Sequence, residues 1–270
     1  MDKLKNKILL FFKESSSLED FFNKIDSLTS EEKEKSADIL LKIGNEFYFK
    51  SNWKIAIKFY EKALAIYKEF KDKKGESTCY NNIGAIYDDL GDYDKALDYY
   101  NRSLEISKAI GDRKGESTCY NNIGLIYDNL GEYAKALDYY NRSLEIRKAI
   151  GDRKGESRCY NNIGLIYYNL GENDKALDYY NRSLEIRKAI GDRRGEIITR
   201  INLGLLLATL KRFAEAENQA ILAERKINEL NLKDYPFGKE MMKFIEKIKN
   251  KKASEEDLKE FESLIKKLRT

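Results

Sequence analysis

The sequence predicts an all-α fold, a solenoid of stacked helix pairs, on three observations. A forty-residue block recurs without a gap, as Ser77–Glu116, Ser117–Glu156 and Ser157–Glu196. The first and second copies differ at five positions, and so do the second and third. Within each block apolar residues recur at spacings of three and four, the period of a helix face. The chain also contains a single proline in 270 residues, which favours long uninterrupted helices, because proline breaks helix interiors.

Each block reads as two helices. In the copy from Ser117, the residues Tyr120, Ile123, Gly124 and Tyr127 share one face, and Leu130-Gly131 ends the helix. Glycine there supplies the left-handed residue that terminates many helices. Ala136, Leu137, Tyr140, Leu144 and Ile146 mark the second helix, and Ile150-Gly151 closes it. Asp152 is placed to cap the next one. Small residues at Gly124 and Ala136 allow the two helices to approach. Neither helix buries its apolar face alone, so neighbouring blocks must stack. More divergent copies flank the three, giving five repeats at 37–76, 77–116, 117–156, 157–196 and 197–234.

The ends read as helical caps, over 1–36 and 235–270. Ser17 opens a helix bearing Leu18, Phe21, Phe22 and Ile25 on one face, and Thr29 to Glu32 opens another that runs into the first repeat. Pro236 fits the first turn of a helix carrying Met241, Met242, Phe244, Ile245 and Ile248. Ser254 with Asp257 starts a last helix bearing Leu258, Phe261, Leu264, Ile265 and Leu268. These segments shield the open ends of a repeat stack. An amphipathic docking helix for a partner or a second copy is the other reading.

Composition narrows function. Without histidine there is no Ser-His-Asp triad, Cys-His pair or histidine-ligated zinc. No acid–base pair or phosphate loop stands out, so no enzyme, cofactor or metal site is expected. The net charge of +4 from 50 basic and 46 acidic residues gives no basic footprint for nucleic acid. No apolar run reaches membrane-span length, and Ile8–Phe12 is too short for a signal-peptide core. A soluble cytoplasmic protein is expected. Cys79, Cys119 and Cys159 sit one repeat apart, on the order of 10 Å, beyond disulfide reach. They read as buried packing residues with free thiols. Tyr99, Tyr139 and Tyr179 read as residues at the edge of the core.

The spaced residues resemble the tetratricopeptide repeat family. Its aromatic–Leu-Gly–Tyr–Ala–aromatic pattern appears as Tyr80–Ile83–Gly84–Tyr87–Ala96–Tyr100, and again in the following two copies. The flanking copies keep Gly44, Ala56 and Tyr60, and Gly204 with Ala216. Two departures are the missing helix-ending proline and a period of forty, which implies a longer second helix and an earlier start to each first helix. The longer form is similar to the repeats of kinesin light chain and of bacterial signalling members.

The resemblance implies that the first helices line a concave peptide-binding groove. In the family's frame its sixth position carries Asn82, Asn122, Asn162 and Asn202, with Lys42 in the first repeat. Asn81, Asn121 and Asn161 stand at position five, Leu125 and Leu165 at nine beside Ala85, and Asp88, Asp128 and Tyr168 at twelve. Asp89 follows at thirteen, and Arg158 stands at position two of the fourth repeat. A primary amide offers both donor and acceptor and so matches one peptide unit. At roughly 10 Å per repeat and 3.3 Å per extended residue, one asparagine serves about three ligand residues. Asn202 persists in a divergent repeat although asparagine is a mediocre helix former with no packing reason to stay. The competing reading is that these amides bond to the neighbouring helix or to water.

Repeat two carries eight acidic and five basic residues, repeat one six and nine, so a ligand with a basic or polar group facing Asp88 and Asp89 is expected. The basic triplet of chaperone-binding members is missing, since its sites hold Leu41, Thr118 and Asn122, or Asn81, Arg158 and Asn162. The function expected is a protein–protein adaptor holding an extended peptide. A peptide-sensing regulator and a self-assembling repeat module, with possible homo-oligomers, are the alternatives.

Overall fold

Helix caps set the element boundaries. Side-chain oxygens of Ser17, Thr29, Asp72, Asp92, Asp152 and Asp192 each accept from the backbone N–H three residues on, satisfying donors that the first turn leaves unpaired. Gly131 and Gly151 end their helices with φ of +73° and +70°, the left-handed region that costs glycine little. In the divergent repeats Lys71 and Lys211 occupy the same turn at φ +58° and +60° without that freedom.

The computed structural model describes residues 2–268, and among them all regular elements are α-helical. The chain divides at residues 126 and 127 into two units. The first contains α1 (Asp2–Glu14), α2 (Leu18–Asp26), α3 (Ser30–Phe49), α4 (Trp53–Glu69), α5 (Lys73–Asp89), α6 (Tyr93–Ala109) and most of α7 (Arg113–Asn129). The second contains α8 (Tyr133–Ala149), α9 (Arg153–Asn169), α10 (Asn173–Ala189), α11 (Arg193–Thr209), α12 (Phe213–Glu229), α13 (Pro236–Lys249) and α14 (Glu255–Leu268).

Consecutive helices pair tightly, as α3 with α4 and α5 with α6 in the first unit, and α9 with α10 and α11 with α12 in the second. Each first helix starts four residues ahead of the forty-residue frame, at Lys73, Arg153 and Arg193 for example. Glycine makes the pairing close. A Cβ on Gly164 would lie 2.9 Å from the Tyr180 ring and 3.3 Å from the Ala176 carbonyl oxygen.

The first unit's core joins Ile8, Phe21, Ile25, Leu40, Phe59 and Cys79. Phe47 stacks on Phe59 with ring centroids 5.5 Å apart, and Phe12 stands edge-on to Phe21 at 5.3 Å. The caps predicted from Ser17 and Thr29 are therefore part of one apolar cluster with the first repeat. In the second unit the core runs from Ala176 and Tyr180 through α11 to Phe244, Leu258 and Phe261. The expected apolar faces at Ile265 and Leu268 involve side chains outside the described residues.

Cys79, Cys119 and Cys159 are free and buried. Burial pushes the Cys79 thiol up to about 12 and the Cys119 thiol to about 11. Tyr87–Tyr99, Tyr127–Tyr139 and Tyr167–Tyr179 form stacked pairs with centroids 5.3–5.5 Å apart. Tyr99, Tyr139 and Tyr179 are thus engaged at the edge of the core, as expected.

Candidate functional site

The residues predicted to line the groove stand at one register on the first helices, but they are not equally open. In the first unit Asn81, Asn82, Ala85, Asp88, Asn122 and Leu125 are half-buried, and Asp89 is exposed. In the second unit Asn161 and Asn162 are 2% exposed and Asn202 3%. Leu165 and Asp128 are buried as well, as is Asn121 in the first unit. Arg158 is exposed.

The amides also bond to one another between repeats. Asn122 Nδ2 donates to Asn81 Oδ1 at 3.1 Å, and Asn202 Nδ2 donates to Asn161 Oδ1 at 3.0 Å. Position six of one repeat therefore pairs with position five of the repeat before it. Asn82 has no such residue available, because Leu41 stands there. Its Nδ2 donates instead to Asn45 Oδ1 at 3.2 Å, which also accepts from the Tyr60 hydroxyl at 2.8 Å. The expectation that Asn202 lacks a structural reason to persist is corrected: it ties α11 to α9. Asn161 Oδ1 accepts a second donor, the Thr199 hydroxyl at 3.4 Å.

This pairing limits what each amide can still do. A primary amide carries two N–H donors and two acceptor lone pairs, so one inter-repeat bond uses only part of it. On α5 and α7 the rest of Asn82 and Asn122 remains at partly exposed surface. On α9 and α11 it is covered. The cover over α11 is α13 with α14, and α14 packs on α11 while meeting α13 through Phe244 and Lys247. It places Leu258 and Phe261 in one cluster with Leu205 and Ala208, which are positions nine and twelve of the fifth repeat.

Carboxylates add charge to the open face. The Tyr48 hydroxyl donates to Asp89 Oδ2 at 2.8 Å. Although the residue as a whole is exposed, desolvation of its carboxyl raises Asp89 above its usual range, and the Tyr48 bond opposes that shift. The predicted acidic pair at Asp88 and Asp89 is thus present on α5, with Tyr48 of α3 beside it. Sequence reasoning missed Asn45, Tyr48 and α14 as parts of this surface. Asn45 was legible as the one amide at position nine. The Leu258–Phe261–Leu264 stripe was legible as an apolar face, but nothing in its spacing says which helix receives it.

Paired helices in tandem, closed by a glycine–tyrosine contact and presenting an amide-lined first-helix face, define a helical-repeat protein of the binding kind. The chain belongs to the tetratricopeptide repeat family, whose model matches residues 35–109, 80–149 and 155–223. No curated protein matches it by sequence. Among solved structures it is similar to BtubC (BKLC) from P. vanneervenii, with a TM-score of 0.68 at 24% identity over 84% of this chain and 92% of that one. It is similar to a Rap protein complexed with Competence and Sporulation Factor, with a TM-score of 0.70 at 17% identity over 98% of this chain and 73% of the other. The Rap conjugation gene regulator of plasmid pLS20, in complex with the Phr* peptide, gives 0.67 at 19% over 84% and 62%. At these identities the likeness concerns the fold, which is the all-α tetratricopeptide type predicted.

Proposed function

We propose that the protein is a non-catalytic interaction adaptor that holds an extended peptide segment of a partner protein. The site is the first-helix face of the first unit, on α3, α5 and α7. The observation that carries this reading is the contrast in cover. Asn82, Asp88, Asn122 and Leu125 stay partly open, while their counterparts in the fifth repeat lie under α14. The remaining donor and acceptor capacity of Asn82 and Asn122 suits a peptide backbone, which presents one donor and one acceptor per residue. Leu125 offers an apolar contact, and Asp88 with Asp89 selects a basic or polar ligand side chain. Two structural neighbours were solved with peptides, the Competence and Sporulation Factor and Phr*, which supports peptide binding on this fold.

The partner is a protein rather than nucleic acid or membrane. No helix among the described residues is long and apolar enough to cross a membrane, and cytoplasmic placement fits the three free thiols. The test is a peptide library screened against the full chain, followed by hydrogen exchange with a selected peptide bound. Protection should concentrate on 78–89 and 118–126. Protection confined to the second helices of the repeats would overturn the assignment.

A further inference from the structure

The cover on α11 is itself informative, because it is a helix. The fifth repeat differs from the others at its groove positions. Ile201 and Ala208 replace the amide and the carboxylate or tyrosine that the three repeats before it carry at positions five and twelve, and Leu205 keeps the leucine of position nine. All three are buried, Ile201 and Leu205 completely. On α11, in one apolar cluster with these residues, the chain lays α14, with Leu258 and Phe261 fully buried and Leu264 packed at the edge. Phe261 meets Phe244 edge-on at 4.8 Å.

The way α14 is held sets it apart from the paired helices. It follows a turn at Lys251 with φ +56°, it meets α13 through the Phe244 ring and Lys247, and that lysine is its polar anchorage. Lys247 bonds Asp257 and lies 3.3 Å from Glu260. Ser254 and Asp257 close the first turn on each other. The fit also leaves a defect. Asn202 Oδ1 is buried with no hydrogen-bond partner. A buried unpaired acceptor is unfavourable, so this packing is not the best one that Asn202 can have.

From this we infer that the inner face of α11 is a second ligand site, which the chain fills with its own α14. The partner it fits is a short amphipathic helix of the same chemistry. That helix has an acidic first turn to meet Lys247 and a Leu–Phe–Leu stripe at spacing three to meet Ile201, Leu205 and Ala208. A polar group in that stripe can satisfy Asn202. The site lies wholly in the second unit, so it stands or falls independently of the peptide face on α5 and α7.

A labelled synthetic peptide of residues 254–268, added to the full chain, tests the inference by anisotropy. Wild type should bind it weakly, because the tethered α14 competes at an effective concentration on the order of millimolar. The full-length variant Phe261→Ala should bind it at least tenfold more tightly and show faster hydrogen exchange over 255–268. A peptide carrying Phe261→Asp should not bind. Should Phe261→Ala fail to fold, Lys247→Ala removes only the polar anchorage and should show the same change in smaller degree. If α14 exchanges freely in either variant and neither captures the peptide, the face is not a ligand site. If α14 exchanges only with global unfolding in both, it is permanent core and the inference fails. If wild type instead forms dimers that trade α14, the occupant is a second copy and the intrachain plug is overturned.

Discussion

The two ends of one hydrogen bond should be unequal in energy. Asn202 Nδ2 donates to Asn161 Oδ1 at 3.0 Å, and both residues are buried. Truncating either to alanine removes the same number of atoms, so the cavity contribution nearly cancels. The stranded partners do not cancel. Asn161→Ala leaves the Asn202 amide buried without an acceptor, and it removes one partner of the Thr199 hydroxyl. Leaving a buried donor unpaired costs about 1–3 kcal/mol, so its polar contribution should be about 2–3 kcal/mol. Asn202→Ala leaves Asn161 Oδ1 with Thr199 still donating, and it deletes an acceptor that had no partner. Its polar contribution should be about 0–1 kcal/mol. Urea denaturation of both variants measures the difference through the midpoint and slope. Equal losses, or a larger loss for Asn202→Ala, would refute the hydrogen-bond inventory on which the site description rests.

Further expectations rest on the same structure. Lys211→Gly should raise stability by roughly 1 kcal/mol, because φ +60° costs a residue with a Cβ about 1–2 kcal/mol; a thermal melt reads the gain. The buried thiols should not react with a disulfide reagent at pH 8, and reactivity should appear only on unfolding. Their folded pKa values lie above the unfolded value near 9, so the unfolded chain loses its protons first. Stability should therefore be full below pH 9 and fall between pH 9 and 11 by up to about 1.4 kcal/mol per pH unit and thiol, read by denaturation across that range. Asp89→Asn should weaken binding of a peptide with a basic side chain and flatten its salt dependence, while leaving a neutral peptide unaffected; titration at two ionic strengths separates the cases.

The repeat architecture was readable because near-identical copies expose their own register. Tyr80, Gly84, Ala96 and Tyr100 recur at fixed offsets, and each answers to one packing contact, such as glycine under a tyrosine ring. Caps were readable for the same local reason, since Ser17, Thr29 and Asp152 act within three residues of themselves. The state of the asparagines was not readable. Periodicity puts Asn82, Asn122, Asn162 and Asn202 on one face, but the residue an amide bonds depends on what stands at position five of the preceding repeat, and whether it also meets solvent depends on what covers the face. Asn81 and Asn161 receive the bond, while Leu41 cannot. Nor does any local pattern tell that α14 lies on α11, because an apolar stripe specifies only that it is covered.

The claim at the centre of this account is that the open amides of the first unit hold a peptide. The most direct measurement is the affinity of one selected peptide for three full-length proteins, namely wild type, Asn82→Ala with Asn122→Ala, and Asn162→Ala. At about 1 kcal/mol per hydrogen bond lost, the double variant should bind at least about 30-fold more weakly. Asn162→Ala, buried in the second unit, should bind like wild type. Unchanged affinity in the folded double variant, or a loss confined to Asn162→Ala, would contradict the claim.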